Sequence, residues 1–390
     1  MSTVSITKCT SIEDVESLKK SLSDSIELLG GFKSRILKGD SVLIKPNILV
    51  PISFKTGAIT NPFLIEALID LLRAEGVKKI TLGEGSVVGI KTDKSFAESG
   101  WDKLAERKEV KLIDFKKEKF IPMSVPNGKI LKFVYVPESL LVSDIVINVP
   151  VMKTHDTYPA TLGLKNMKGV IREKDKKRFH LWGLSQCIVD LNKLLQPHIT
   201  IEDGTIGMEG YGPVYGTPAN LGVIISSFDI VAADCIAAEV MDIRPDTIEY
   251  LKLAIEQGLG SGNISDIEVK GLQIKDVRKK FSAASIEEEE LKKYNIQILE
   301  DGACSGCRTT LEAFIYRMQN DKLLPNIKDY TFLLGQNVKV PRNLKGTVVK
   351  FGACTKTLDV GSNGQELYYV QGCPPHPETT SEYIETGKLY

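Results

Sequence analysis

Four of the seven cysteines fall in the last quarter of the chain, where their spacing suggests metal chemistry. Cys304 and Cys307 form a Cys-x-x-Cys pair, Cys354 follows Gly352-Ala353, and Cys373 opens Cys-Pro-Pro after Gly372. Thiolates are soft ligands, and four gathered at one point suit a [4Fe-4S] cluster or a structural Zn2+. Zinc ribbons draw on two tight pairs, whereas only the first pair is tight here, so the spacing favours the cluster. A disulfide framework is disfavoured by the odd cysteine count and the lack of a secretory signal pattern.

The neighbouring elements explain how distant cysteines would meet. Residues 294–300 read as a strand running into Cys304, and 309–317 follow at helical spacing, placing the pair on a strand-to-helix turn. Residues 346–351 and 367–370 read as strands ending at Cys354 and Cys373, with Pro374 and Pro375 stopping further pairing. Three strands would thus deliver four thiolates to one edge of a sheet. Gly302, Gly306, Gly352 and Gly372 sit beside the ligands, where close backbone approach needs no Cβ.

This pattern of Cys-x-x-Cys at a helix start, Gly-x-Cys after a later strand and a final Gly-Cys-Pro-Pro resembles the cluster-binding domain of nickel-iron hydrogenase small subunits and the equivalent respiratory complex I subunit. The resemblance implies one [4Fe-4S] cluster on Cys304, Cys307, Cys354 and Cys373. It does not imply hydrogen activation, because no nickel-binding subunit is fused to the chain and the connections look shorter.

A second set of chemistry-bearing residues lies earlier. Strand-like runs alternate with helical stripes through the first 275 residues, which predicts an α/β fold: a mostly parallel, Rossmann-like sheet domain followed by a smaller α/β cluster-binding domain. Sites in such sheets lie beyond the carboxyl ends of the strands, so Lys45, Asn47, Glu84, Lys153, Thr154 and His155 are expected to face one crevice. Gly83-Glu-Gly-Ser-Val-Val-Gly89 departs from a dinucleotide fingerprint and reads as a tight turn presenting Glu84; no phosphate-binding P-loop is present.

From Lys153 to His180 glycines and short polar residues break the helical period, which predicts an irregular active loop. Within it Lys153, Lys165 and Lys168 alternate with apolar residues that would draw them inward, and a partly buried lysine is costly unless it meets an anion. The alternatives are a pocket for a carboxylate or phosphate, with Asn166 and His180 beside it, and internal pairing with Glu84, Asp203 or Glu209. His155 at a strand end could act as general acid, whereas the charged run 174–178 reads as a solvated face. Asp203 and Glu209 are the other acid/base candidates, Glu209 in a glycine-rich loop. Cys9, Cys187 and Cys235 read as core thiols.

The motifs Ile44-Lys-Pro-Asn47, Thr60-Asn-Pro62, Lys153-Thr-His155, Lys165-Asn-Met-Lys-Gly169, Asp203-Gly204, Met208-Glu-Gly-Tyr-Gly-Pro213, and Asp229 with Asp234 together resemble the domain-of-unknown-function family numbered three-six-two. That family is often linked to iron-sulfur modules, and the resemblance carries no established reaction. Domains are expected over 1–275 and 294–390, with a charged linker, 276–293, between them.

Composition narrows the partners. Lys+Arg and Asp+Glu are equal at 50 each, so no global field favours nucleic acid. No apolar run approaches the roughly 20 residues of a membrane helix, and free thiols fit a reducing cytoplasm. The expectation is therefore a cytoplasmic, oxygen-sensitive iron-sulfur oxidoreductase. It would act on a small anionic substrate at the face between the domains, with no nucleic acid or membrane partner and with oligomerisation left open. The alternatives are a non-catalytic electron-transfer or activator protein with a redox partner, and a redox-neutral enzyme with a structural metal.

Overall fold

The computed structural model describes residues 1–32, 40–155, 158–283, 286–361 and 366–375. Two compact units divide the chain, residues 1–283 and 284–390.

In the first unit, alternating apolar runs form strands β1 (Ser2–Lys8), β2 (Ser41–Pro46), β3 (Lys79–Glu84), β4 (Lys111–Asp114), the hairpin β5 (Phe120–Ser124) and β6 (Phe133–Pro137), β7 (Ile145–Val149), β8 (Val151–Lys153), β9 (Ile199–Glu209), β10 (Thr217–Ala219), β11 (Val223–Ser227) and β12 (Ile267–Gly271). The main sheet runs β12-β1-β11-β9-β7-β2-β3-β4, with β8 and β10 also paired to β9. Pairing is parallel from β9 through β7, β2 and β3 to β4, and antiparallel on both sides of β11. The chain leaves β2 towards β3 and β4 on one side and later returns to β7 and β9 on the other, so the switch in strand order lies between β2 and β7. A doubly wound sheet opens its crevice there.

Strand periodicity sorts side chains onto two cores. Val42, Ile44, Ile145, Ile147 and Val149 pack with helices Val15–Leu28 and Pro62–Ala74. Leu43 and Val146 point the other way, into the core under helices Leu184–Leu194 and Ile230–Val240. Both faces are covered, as continuous apolar strands require. Helix Pro62–Ala74 starts as its sequence dictates, with Asn61 capping Phe63 N and proline in the first turn.

Two short helices, Thr92–Glu98 and Trp101–Arg107, follow β3 and are separated at Gly100 by a left-handed φ of 76°. Several boundaries differ from expectation. The stretch expected to be an irregular loop instead folds as the helical turns Gly163–Asn166 and Met167–Val170, then as helix Glu173–Trp182. Buried Phe179 anchors that helix, and Asp175 pairs with Arg172 at 2.6 Å and with Arg178 at 3.4 Å. The first unit also runs past 275: Phe281 is buried in its core and Ser282 N donates to Glu209. The expected linker therefore splits between the units, with helix Glu288–Lys293 in the second and residues 284–285 outside the described set.

The second unit is a four-stranded parallel sheet in the order β13 (Gln297–Glu300), β14 (Tyr330–Leu334), β15 (Thr347–Phe351), β16 (Glu366–Val370). Helix Ser305–Asn320 packs Leu311, Phe314, Ile315 and Met318 against Phe332, Val349 and Val370.

In the first unit Asp190 fixes the connection between β5 and β6: its carboxylate accepts from Lys129 N (3.0 Å), Ile130 N (2.7 Å) and Leu131 N (3.0 Å). Burial pushes this carboxyl up, but those N–H groups and Lys193 outweigh it and hold it below the usual range. A depressed folded value means the stabilisation is present above the ordinary carboxylate range and fades as pH falls through the folded value. Asp190→Asn is expected to cost about 1–3 kcal/mol at neutral pH. The difference from the unsubstituted protein should shrink on acidification, as checked by denaturant unfolding across pH.

Candidate functional site

The crevice at the β2/β7 switch is filled by a directed network of amines and amides. Lys45 and Lys153 are completely buried, and Asn47, Glu84, Asn148 and Asn166 nearly so. Lys45 Nζ donates to Glu84 Oε2 (2.7 Å), Asn166 Oδ1 (3.0 Å) and Pro46 O (2.9 Å). Asn47 Nδ2 also donates to Asn166 Oδ1 (2.8 Å), and Asn166 Nδ2 to Asn148 Oδ1 (2.8 Å). Lys153 Nζ donates to Asn47 Oδ1 (2.9 Å) and Ala58 O (2.8 Å). Lys45 donating to Asn166 Oδ1 at one end and Asn148 Nδ2 donating to Gly163 O (3.1 Å) at the other set the direction of the amide chain, so turning one amide over would break bonds on both sides of it.

Glycines let the backbone come this close. A Cβ at Gly169 would overlap Glu84 Oε1 and stand 2.7 Å from Lys45 Nζ, and one at Gly85 would lie 2.9 Å from Gly169 O. The turn after β3 thus delivers Glu84 inward, where it also accepts from Gly85 N (2.7 Å) and Ile48 N (3.1 Å).

The two buried lysines differ. Lys45 has a carboxylate partner; burial lowers its pKa and Glu84 partly offsets that. Lys153 has only neutral acceptors among the described residues, and burial, then Lys165, then Lys45, hold it well below the usual lysine range. The environment of Lys153 thus favours the uncharged amine, the form that carries a lone pair.

Lys165 and Lys168 lie on the helical turns that follow and are partly exposed. Lys165 Nζ donates to Thr161 Oγ1 (3.1 Å), and Lys168 Nζ lies 2.8 Å from Nε2 of exposed His180. Burial of the Lys168 amine, with Lys165 nearby, brings it down to about 7. Five of the expected residues, Lys45, Asn47, Glu84, Lys153 and Asn166, therefore form one bonded network.

The remaining candidates have other neighbours. Thr154 Oγ1 is bonded to Gly210 O (2.8 Å) and Met208 O (3.3 Å), and the His155 ring leans on Tyr158 with centroids 6.0 Å apart. Asp203 accepts from Asn61 N (2.7 Å) and from Thr205 N and Oγ1 (3.0 and 2.6 Å), while Glu209 accepts from Ser282 N (2.9 Å). These two carboxylates support loops. The lysine partner among the three acids considered is Glu84, and its lysine is Lys45.

Sequence reasoning gives no site role to Asn148 or Glu202 and names Asp234 only within the family motifs, and the run 174–178, read as a solvated face, has Lys176 buried. Glu202 Oε1 accepts from Gly163 N (3.0 Å) and Asp234 Oδ2 from Leu164 N (3.1 Å), so a pair of fully buried carboxyls seats the turn carrying Lys165 and Asn166. Burial, then the other carboxyl, pushes Glu202 well above the usual range, and burial raises Asp234 to about 7. Two such groups share a proton in preference to ionising together. The one visible signal was Asp234 interrupting the otherwise apolar start of helix Ile230–Val240. Lys176 Nζ donates to the carbonyls of Gly85 and Ser86, and burial lowers it to about 7.

The second unit brings its thiols to the carboxyl end of its sheet. Cys304 caps helix Ser305–Asn320, Cys307 is buried in the first turn, and Cys354 and Cys373 follow β15 and β16. Burial pushes the Cys307 thiol up to about 12, with further contributions from Cys304, hydrogen-bonded to it, and from Cys354 and Cys373. The loops interlock: Ala353 N donates to Gly372 O (2.7 Å), a Cβ at Gly352 would lie 2.8 Å from Cys307 Sγ, and one at Gly306 would lie 3.3 Å from Pro374. Gly352, with φ of 99°, and Gly372, with φ of 146°, adopt backbone that other residues rarely take. Among the described residues no three His, Cys, Asp or Glu side chains are grouped so as to hold a metal ion.

The family described as Domain of unknown function (DUF362) matches residues 42–239, a span that includes every member of the lysine network. The chain belongs to that family. A curated relative, the thylakoid-associated protein sll1697 of Synechocystis sp. (strain ATCC 27184 / PCC 6803 / Kazusa), is 27% identical over 251 residues, 63% of this chain and 75% of the relative. The solved lactate racemase apoprotein from Thermoanaerobacterium thermosaccharolyticum is similar at 13% identity and a TM-score of 0.39, over 62% of this chain and 57% of that one. This chain therefore spans less than two thirds of the racemase. The DUF362 match ends before the cysteine unit, which has its own sheet and core.

The buried groups predict an unusual stability profile. Asp234 is raised from 3.8 to about 7, so the folded state holds a proton the unfolded state has lost, and its contribution declines as pH rises through that window. Lys176 is lowered from 10.5 to about 7, so the unfolded state holds the extra proton and stability rises between those values. Asp234→Asn should flatten the decline between pH 4 and 7, and Lys176→Met the rise above 7, each on the order of 2–4 kcal/mol in denaturant unfolding.

Proposed function

We propose that this chain is an iron-sulfur redox protein. Cys304, Cys307, Cys354 and Cys373 would hold one [4Fe-4S] cluster, and the lysine-lined crevice of the first unit would take a small anion. The observation that carries the first part is geometric: Cys304 and Cys307 open helix Ser305–Asn320 after β13, Cys354 and Cys373 follow β15 and β16, and the loops of the last two are tied by Ala353 N donating to Gly372 O. The donors are all thiols, their loops meet through glycines that admit the backbone, and Arg308 is committed to Glu300 at 2.9–3.0 Å. Such a set suits iron and sulfide, and a cluster bound there would supply electrons one at a time.

For the anion, Lys165 and Lys168 offer the partly exposed cationic side of the network. Lys168 would bind in its protonated form, with His180 accepting its hydrogen bond, and Lys153 would stand behind as a proton acceptor. Lys45 is less suited because Glu84 already neutralises it. That internal neutralisation, and the complete burial of Lys153, favour a second reading: an electron-transfer or activator protein whose DUF362 unit docks a partner enzyme.

Anaerobic purification with metal and acid-labile sulfide analysis tests the cluster. The expected result is about four irons per chain, an EPR signal after reduction, and loss of both in Cys373→Ala. Zinc in place of iron and sulfide would favour a structural metal and overturn the redox reading. Lys168→Met should weaken binding of small carboxylates or phosphate by about tenfold or more, read by calorimetry. Unchanged binding would leave the partner-protein reading in place.

A further inference from the structure

Helix Glu173–Trp182 has an inner face turned to the lysine centre and an outer face of different character. Inward, Asp175, Lys176 and Phe179 are buried, and Lys176 Nζ meets the carbonyls of Gly85 and Ser86. Outward, Lys174, Lys177, Arg178 and Leu181 recur at i, i+3, i+4 and i+7, which puts them on one stripe, and all four are exposed. Leu181 is 79% exposed and Trp182, at the helix end, 47%.

The surface continues beyond the helix. Ile130, 38% exposed, has its Cδ1 3.4 Å from where a Cβ at Gly183 would lie, and Phe133 is 61% exposed. Phe133 packs edge-on against Tyr135, over whose ring the Arg172 guanidinium sits at 3.2 Å. Of the helix's acids, Glu173 accepts from Gly89 N and pairs with Lys116, and buried Asp175 pairs with Arg172 and, at 3.4 Å, with Arg178, which leaves Lys174 and Lys177 as the cations of the stripe. Among the described residues, Lys174 and Lys177 have no carboxylate within ion-pair distance.

We propose that this face docks the protein onto an anionic phospholipid bilayer. Leu181, Trp182, Ile130 and Phe133 are exposed apolar side chains, and Leu181 and Trp182 share their helix with Lys174 and Lys177. A bilayer surface both dissolves such side chains at its acyl boundary and places negative headgroups beside the flanking cations. Tryptophan suits that boundary, being apolar with one polar N–H. No described helix is long and apolar enough to cross a membrane, so the contact is peripheral. The docked face is the reverse side of the helix that closes over Gly85 and Ser86, so attachment and the lysine centre share one element.

The test is co-sedimentation of the full chain with vesicles of phosphatidylcholine alone and of phosphatidylcholine mixed with phosphatidylglycerol, read together with tryptophan emission. The chain has two tryptophans, and Trp101 is fully buried, so a blue shift on binding reports Trp182. The expected result is binding to the anionic vesicles only, weakening as salt rises. Lys174→Glu with Lys177→Glu should lower partitioning about tenfold or more, and Leu181→Ser should reduce both binding and the blue shift. Absence of binding to anionic vesicles, equal binding to neutral ones, or unchanged binding by the charge-reversed variant would each overturn the proposal. The circular dichroism spectrum of each variant separates loss of binding from loss of fold.

Discussion

Two lysine amines held out of water at the β2/β7 switch set the terms for the first unit. Moving an ammonium into a sheet interior costs several kcal/mol unless charge and hydrogen bonds replace its hydration. The chain answers in two ways. Lys45 keeps a carboxylate, Glu84, and becomes half of an ion pair. Lys153 has amide and carbonyl oxygens only, and the balance shifts towards the uncharged amine. The surrounding sequence follows from this. Asn47 and Asn166 are needed because an amide can both accept from lysine and pass a hydrogen bond onward, Gly169 because a side chain there would displace the ion pair, and Gly85 because one there would press on the Gly169 carbonyl.

The carboxyl pair beneath Gly163–Asn166 solves the mirror problem. Glu202 and Asp234 use one oxygen each to hold the start of the turn, and burial favours their protonated forms. One proton between them removes the repulsion and leaves a single negative charge under a helical turn that carries Lys165. The centre thus has acids pushed up and amines pushed down, all by desolvation. Structural networks also do this, so perturbed values alone do not make a catalyst. What separates this centre from an inert core is its place at the strand-order switch with partly exposed Lys165 and Lys168 on its rim.

Much of this was legible beforehand because period and position carry the information. The strands of the sheet announce themselves as apolar runs, and the rule that sites lie past strand carboxyl ends gathers Lys45, Asn47, Glu84 and Lys153 correctly. What stayed hidden depends on contacts between distant residues. Whether Glu84 serves Lys45 or Lys153 is decided by side-chain reach across β2, β3 and β8, which no local pattern encodes. Glu202 lies inside a strand and would ordinarily be read as facing solvent; only the approach of Gly163 shows its role. The run 173–182 looked irregular because its charges masked a helix whose inner face buries a lysine, an aspartate and one phenylalanine. Thr154 and His155 follow the same strand as Lys153 but lie beyond its end, where the loop from β9 takes Thr154.

The cysteine unit poses the same electrostatic question with the sign reversed. Cys307 is buried beside three further thiols, and ionising it there would place a negative charge in low dielectric next to groups that would share it. Protonated thiols avoid that cost, with Cys304, Cys354 and Cys373 left exposed. Arg308 cannot neutralise the site while it is bound to Glu300. On the proposed reading, a cationic inorganic core would supply the charge that makes thiolates favourable there. In the first unit Lys45 keeps its charge beside a carboxylate while Lys153 is pushed towards giving its charge up; in the second, the proposed cluster would be the partner that carries charge for the sulfur groups.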